Sequence, residues 1–202
     1  ILVQWLKFSE KDIRILTISG LLHDIGKIMI PNEILTKPGK LTVAEYNIMK
    51  QHVNFGYEKV KNQNIDIRIK EACLLHHEKC DGTGYPFGLK SDHIPAVAKI
   101  IAIADVYDAM TSARVYRGAL CPFEVIDTMY KDAFTKFEPE YILPFLKNVA
   151  SSYINNDVRL SDGRIGKVVL INENALSLPI VQCEDEFIDL SKTRGLTVSA
   201  IL

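Results

Sequence analysis

Four of the five histidines in this chain, His23, His52, His76 and His77, fall on or at the ends of helical patterns, each among apolar neighbours. A lone histidine in such a place is usually a hydrogen-bonded core residue. Here four are joined by Asp24, which follows Gly20-Leu21-Leu22, and by Asp105, which follows a run of Ile and Ala. A buried carboxylate needs a cation or several hydrogen bonds. Imidazole with carboxylate is the ligand set of Mn, Fe or Zn, and ligands from different helices can converge inside a helical bundle. Side chains of neighbouring helical residues point about 100° apart, so His23 and Asp24 reach one metal only if it sits between their directions. Asp24 has two oxygens and can instead bridge two metals. Lys27, one turn on, projects from the same side and can neutralise a substrate phosphate, although by itself it reads as a solvated surface lysine.

The doublet His76-His77 closes a helix and is followed by Glu78 and then by Asp81-Gly82-Thr83-Gly84-Tyr85-Pro86. Such a glycine-rich loop can bring backbone N–H groups and one aromatic ring close to a ligand. Taken alone it is a turn; beside two histidines it reads as the rim of a site. Asp105 and Asp108 lie one turn apart on an apolar helix, and Arg114 and Arg117 lie just past its end. Arginines so spaced can grip phosphate oxygens, or can pair with surface acids. His93, in the loop, has no assigned part.

Helices must position these groups. Ser9 with Asp12 and Thr42 with Glu45 are capping-box signatures. The first opens a helix through Ile13, Leu16 and Leu21, the second a helix carrying Tyr46, Met49, Val53, Gly56, Tyr57 and Val60. Ile69, Ala72, Cys73 and His76 share one face of the next. Residues 80–95 form a loop, Ile94 to Thr111 a buried helix, and two more helices cover about 122–134 and 139–153, with Pro144 expected to kink or split the last. From Asp157 the pattern changes to short β-rich runs: Val158–Leu160, a Ser161-Asp162-Gly163 turn, Ile165–Ile171, Ile180–Cys183, Phe187–Leu190 and Leu196–Leu202. The expected fold is mainly α, a helical bundle over residues 1–156 with a small antiparallel β appendage over 157–202.

At 202 residues the chain suits one sizeable domain with a small appendage, and 48% hydrophobic residues allow a substantial core. A net charge of −1 excludes a global basic field for duplex nucleic acid. Cys73, Cys80, Cys121 and Cys183 form no CxxC pair and read as reduced thiols in the cytoplasm. No run of about 18 apolar residues marks a membrane span, and no signal peptide is evident. The first residue is not Met, and Ile1–Phe8 reads as mid-helix, so a preceding segment is expected.

Taken together, these stretches resemble the HD-GYP domain, a bacterial branch of the HD phosphohydrolase superfamily. The matching residues are Leu21-Leu22-His23-Asp24-Ile25-Gly26-Lys27, Lys37-Pro38-Gly39-Lys40-Leu41-Thr42 leading to His52, His76-His77-Glu78 with the Asp81–Pro86 loop, and Ala104–Ser112 with Arg114, Tyr116 and Arg117. The resemblance implies an HD-type bundle holding two or three divalent transition metals, commonly iron or manganese. It implies metal-assisted hydrolysis of cyclic di-GMP to linear pGpG or GMP in second-messenger signalling. The metal ligands it implies are His23, Asp24, His52, His76, His77 and Asp105, with Asp24, Lys27 and Asp105 catalytic. It further implies that Lys27, Tyr85, Arg114 and Arg117 face substrate. The family's first histidine ligand falls before Ile1. Implied partners are cyclic di-GMP, an upstream sensor or receiver domain, diguanylate-cyclase-type proteins and a second copy of the chain. Two other readings stay open: an HD hydrolase acting on another nucleotide, and a non-hydrolytic receptor for cyclic di-GMP or a partner protein.

Overall fold

In the computed structural model, residues 8–112 and 118–202 are described. Ser9 caps the first helix, α1 (Glu10–Leu22), by accepting the Asp12 N–H. A short 3-10 turn follows at Ile25–Met29, then α2 (Asn32–Leu35). Thr42 opens α3 (Val43–Met49) with both halves of the capping box: its hydroxyl accepts the Glu45 N–H, and the Glu45 carboxylate accepts the Thr42 N–H. The single helix expected from Thr42 to Val60 is two. The chain breaks at Lys50-Gln51 and restarts as α4 (His52–Val60). The break re-aims α4 so that it packs on the Ile25–Met29 turn.

α5 (Ile67–Leu75) is capped by Asp66, and α6 (Ala96–Thr111) is the long apolar helix. α7 (Pro122–Asp132) and α8 (Pro139–Ser151) complete the bundle. Pro144 does not split α8, which is continuous through it. The carbonyl that the proline cannot serve belongs to Glu140, an exposed residue in the first turn, where water can satisfy it.

The C-terminal residues form a five-stranded antiparallel sheet. Its strands are β1 (Asp157–Leu160), β2 (Ile165–Leu170), β3 (Ile180–Cys183), β4 (Glu186–Asp189) and β5 (Val198–Ile201), in the order β4-β3-β2-β1-β5. The β1–β2 turn contains Gly163 at φ 93°, a conformation that glycine adopts without strain. The fold is therefore mainly α with a small antiparallel sheet at the C-terminus.

Among the described residues, two large packing regions and a small third one, Leu75, Ile94 and Ala98, position everything else. Ile15 and Leu16 of α1 meet Ile69 and Ala72 of α5 and Val97, Ile100 and Ile101 of α6. The larger region joins Ile103 of α6, Phe123, Ile126 and Met129 of α7, and Ile142, Leu146 and Val149 of α8 to Val158, Leu160, Val168, Val181 and Val198 of the sheet. Each such side chain contributes about 1.5–3 kcal/mol when fully buried. Residues 156/157 thus mark a change of secondary structure, while the packing runs across it. No described helix is long and apolar enough to cross a membrane.

Candidate metal centre

α1 ends where the chemistry begins. His23 caps it, its N–H bonded to Ser19 O at 2.8 Å, and Asp24 leaves the helical conformation at φ −98°, ψ 7°. The sequence pictured His23, Asp24 and Lys27 along one helix; instead the helix stops and the 3-10 turn folds them against α4. Two glycines permit this approach. A Cβ on Gly26 would lie 1.9 Å from His52 O and 2.4 Å from Gly56 N, so only glycine allows the HD turn to touch the backbone that carries His52.

Six predicted ligands converge. Ligand atoms of Asp24, His52, His76 and His77 all lie within 4.8 Å of one another, and so do those of His23, Asp24 and Asp105. Asp24 belongs to both groups, one oxygen to each. Its Oδ1 is 3.3 Å from His52 Nε2 and 3.9 Å from His76 Nε2, while its Oδ2 is 3.2 Å from His23 Nε2. Asp105 reaches His23 Nε2 from α6 at 3.7 Å. Lys27 Nζ sits on Asp24 Oδ2 at 2.5 Å.

The imidazoles are aimed. The Nδ1 atoms of His23, His52 and His76 lie 2.8–2.9 Å from the carbonyls of Gly20, Met49 and Ala72. A carbonyl only accepts, so each Nδ1 carries a proton and each ring turns its Nε2 inward; in His52 and His76, whose rings are neutral, that Nε2 offers a lone pair. Outer contacts of this kind fix tautomer and orientation in metal-ligating histidines. His23 Nε2 and Asp24 Oδ1 are buried and make no well-directed hydrogen bond, although charged or polar neighbours lie 3.2–3.9 Å away; a metal ion among them would satisfy both.

Electrostatics fit the same arrangement. Burial, with the neighbouring imidazoles, lowers His76 to about 4 and His77 to about 3, and burial also lowers His52. These three rings are neutral, as ligands must be. Burial alone would lower His23 too, but the Asp105 and Asp24 carboxylates outweigh it and raise it to about 10. Burial would raise Asp24, but His23 and Lys27 hold it far below the ordinary carboxylate range. Beside Lys27, His23 is thus a second cation of the cluster, and a metal ligated through its Nε2 would have to displace that proton.

The glycine-rich loop closes one side. A Cβ on Gly84 would lie 2.4 Å from Glu78 Cα and 2.6 Å from His77 O, so the loop lies directly on the His77-Glu78 backbone. The Tyr85 ring stacks on His77 with centroids 4.7 Å apart. Glu78, only 4% exposed, holds the loop: its carboxylate accepts the N–H groups of Phe87 (2.7 Å), Gly88 (3.2 Å) and Leu89 (2.9 Å). Sequence reasoning assigned Glu78 no such part.

A cavity of roughly 720 Å³ opens beside the cluster, with Lys27, His52, His77 and Tyr85 in its wall. Lys37, Lys40, Tyr46, Met49 and Lys79 also line it and were likewise missed. Their one signal was the Lys37–Leu41 stretch, read as a motif and not as a wall. Asp108 accepts a hydrogen bond from Ser112, and His93 is exposed and paired with Asp92. Arg114 and Arg117 lie outside the described residues.

A family profile for the HD domain matches residues 1–141. This chain belongs to the HD domain family. The HD-GYP motifs of this HD-domain chain all fall inside that stretch, and it is a member of the HD-GYP branch. It is 37% identical over 182 residues to a cyclic di-GMP phosphodiesterase of Pseudomonas aeruginosa, covering 90% of this chain and 44% of that protein. It is 44% identical over 117 residues to 3'3'-cGAMP-specific phosphodiesterase 1 of Vibrio cholerae, covering 56% of this chain and 26% of that one. The fold resembles that of an HDG"Y"P protein from Bdellovibrio bacteriovorus, with a TM-score of 0.59 and 23% identity over 71% of this chain and 46% of the other. The HD-domain chain spans less than half the length of these relatives.

Proposed function

We propose that this HD-domain chain is a metal-dependent phosphodiesterase that hydrolyses cyclic di-GMP to linear pGpG or GMP. The observation that carries the reading is the Asp24 carboxylate, whose two oxygens face two separate ligand groups. One carboxylate shared in this way suits a paired-metal site for phosphoester cleavage. His23, Asp24, His52, His76, His77 and Asp105 would hold two or three divalent transition metals, iron or manganese by ligand type. When bound, such metals supply Lewis acidity and a water acidified toward neutral pH.

The chain's own residues do the rest. The three Nδ1–carbonyl contacts keep the imidazoles aimed inward. Lys27 balances Asp24 and, with Arg114 and Arg117, counters charge that builds on the phosphate. Tyr85, held over His77, forms the rim against which substrate rests. No side-chain nucleophile is needed. In this reading the chain works in the bacterial cytoplasm beneath a sensor or receiver domain, opposite diguanylate-cyclase-type proteins, with a second copy as a further partner.

A second reading has a hybrid cyclic dinucleotide as substrate, and the identity to a relative named 3'3'-cGAMP-specific favours it. The test is turnover by metal-loaded chain of cyclic di-GMP, 3'3'-cGAMP and a dNTP, with products separated by chromatography. Cleavage of cyclic di-GMP to a linear product is expected. Turnover of the dNTP alone would overturn the substrate, and tight binding of cyclic di-GMP without turnover would make the chain a receptor.

A further inference from the structure

We propose that Lys40 and Lys79 form a subsite for the second, uncut phosphate of a cyclic dinucleotide, and so select a two-phosphate ring over a single phosphodiester. The proposal rests on the phosphodiesterase reading above. It starts from the cavity beside the ligand cluster, whose wall carries Lys27, Lys37, Lys40 and Lys79 and, among the described residues, no acidic side chain. Two of these cations are committed. Lys27 is paired with Asp24 at 2.5 Å, and Lys37 with Glu45 at 2.7 Å. Among the described residues, Lys40 and Lys79 form no ion pair. Asp81 feels the charge of Lys79, but its carboxylate is turned to the Thr83 N–H and hydroxyl at 2.9 and 2.7 Å.

The two lysines come from separate segments of the chain. Lys40 follows Gly39, whose φ of 122° makes the turn between α2 and α3. Lys79 follows Glu78, the residue that anchors the glycine-rich loop. The cavity brings them together with His52 and His77, the two ligand histidines in its wall. A cyclic dinucleotide carries its two phosphates on one ring. When one lies at the metal cluster, the other lies away from it and needs its own counter-charge. The unpaired lysines of this wall supply that charge, and a diester with one phosphate leaves them unused.

The experiment compares metal-loaded full chain with Lys40→Ala, Lys79→Ala and the double variant. Lys192→Ala, at a lysine in the turn after β4 that is absent from the cavity wall, serves as the control. Substrates are cyclic di-GMP and the one-phosphate diester bis(p-nitrophenyl) phosphate, with titration calorimetry of cyclic di-GMP beside the rate assays. Each cavity variant should raise KM and Kd for cyclic di-GMP about tenfold, the low end for a charge-assisted hydrogen bond. Its kcat and its kcat/KM on the one-phosphate diester should stay at the wild-type value, as should both substrates with Lys192→Ala. If neither substrate is affected, or both fall together, the lysine assignment is wrong while the phosphodiesterase reading stands. A metal-loaded wild type that neither binds nor cuts the cyclic dinucleotide overturns the functional reading and this assignment together.

Discussion

Glu78→Ala tests whether the loop holds the metal centre in shape. The carboxylate accepts three backbone N–H groups from residues nine to eleven positions on, at 2.7, 3.2 and 2.9 Å. Hydrogen bonds to a charged group contribute about 1.5–3 kcal/mol each, so three could sum to several kcal/mol. Two terms reduce that. Phe87 and Gly88 are exposed, so water replaces part of what their N–H groups lose, and deletion also removes a buried charge. A net loss of about 2–4 kcal/mol is expected, which for a chain of this size lowers Tm by about 5–15 °C. The loop also presses Tyr85 onto His77, so metal affinity should fall by about 10–100-fold, as it does when an outer contact of a ligand is removed. Glu78→Gln keeps the shape and one acceptor oxygen but turns an NH2 toward a backbone donor, so it should fall between. Thermal unfolding of metal-free protein reads the first effect, and competitive metal titration reads the second. Unchanged Tm and unchanged metal affinity in Glu78→Ala would refute the positioning role outright.

Asp24→Ala removes the carboxylate common to both ligand groups, so elemental analysis of protein prepared without chelator should find its metal largely gone; His76→Ala should lose the group it shares with His52 and His77. Retention of a full metal complement by Asp24→Ala would disprove the shared-ligand geometry. Gly26→Ala drives a Cβ into His52 O and Gly56 N, backbone atoms that cannot swing away, and should destabilise the fold by about 3 kcal/mol or more; a denaturation midpoint equal to wild type would mean that the turn and α4 separate easily. If residues 157–202 were only an appendage to the bundle, a chain ending at Tyr153 would stay folded. The continuous packing of α7 and α8 on the sheet predicts the reverse, because Phe123, Ile126, Leu146 and Val149 lose their cover; soluble, cooperatively folded truncated protein would restore the independent-appendage reading.

Much of this protein is legible in its sequence because the deciding signals are local or chemical. Ser9 and Thr42 cap the helices they announce, and the β-branched runs after Asp157 become strands at nearly the same residues. The unusual company of four apolar-set histidines with Asp24 and Asp105 marks six groups that do cluster. What the sequence could not determine depends on which remote segments touch. The helix breaks after Leu22 and Met49 follow from packing of the HD turn on α4, an approach set by Gly26 and Gly56. Glu78 looks like one more charged residue until its three N–H partners arrive from beyond the turn. The allocation of one Asp24 oxygen to each ligand group, the meeting of Lys40 and Lys79 in one cavity and the union of sheet and helices in one interior are likewise tertiary facts. Residue type and period specify what a segment can bury or bond; which partner it meets is decided only when the whole chain packs, since a donor, a lone pair or a charge has no local neighbour that reveals its target.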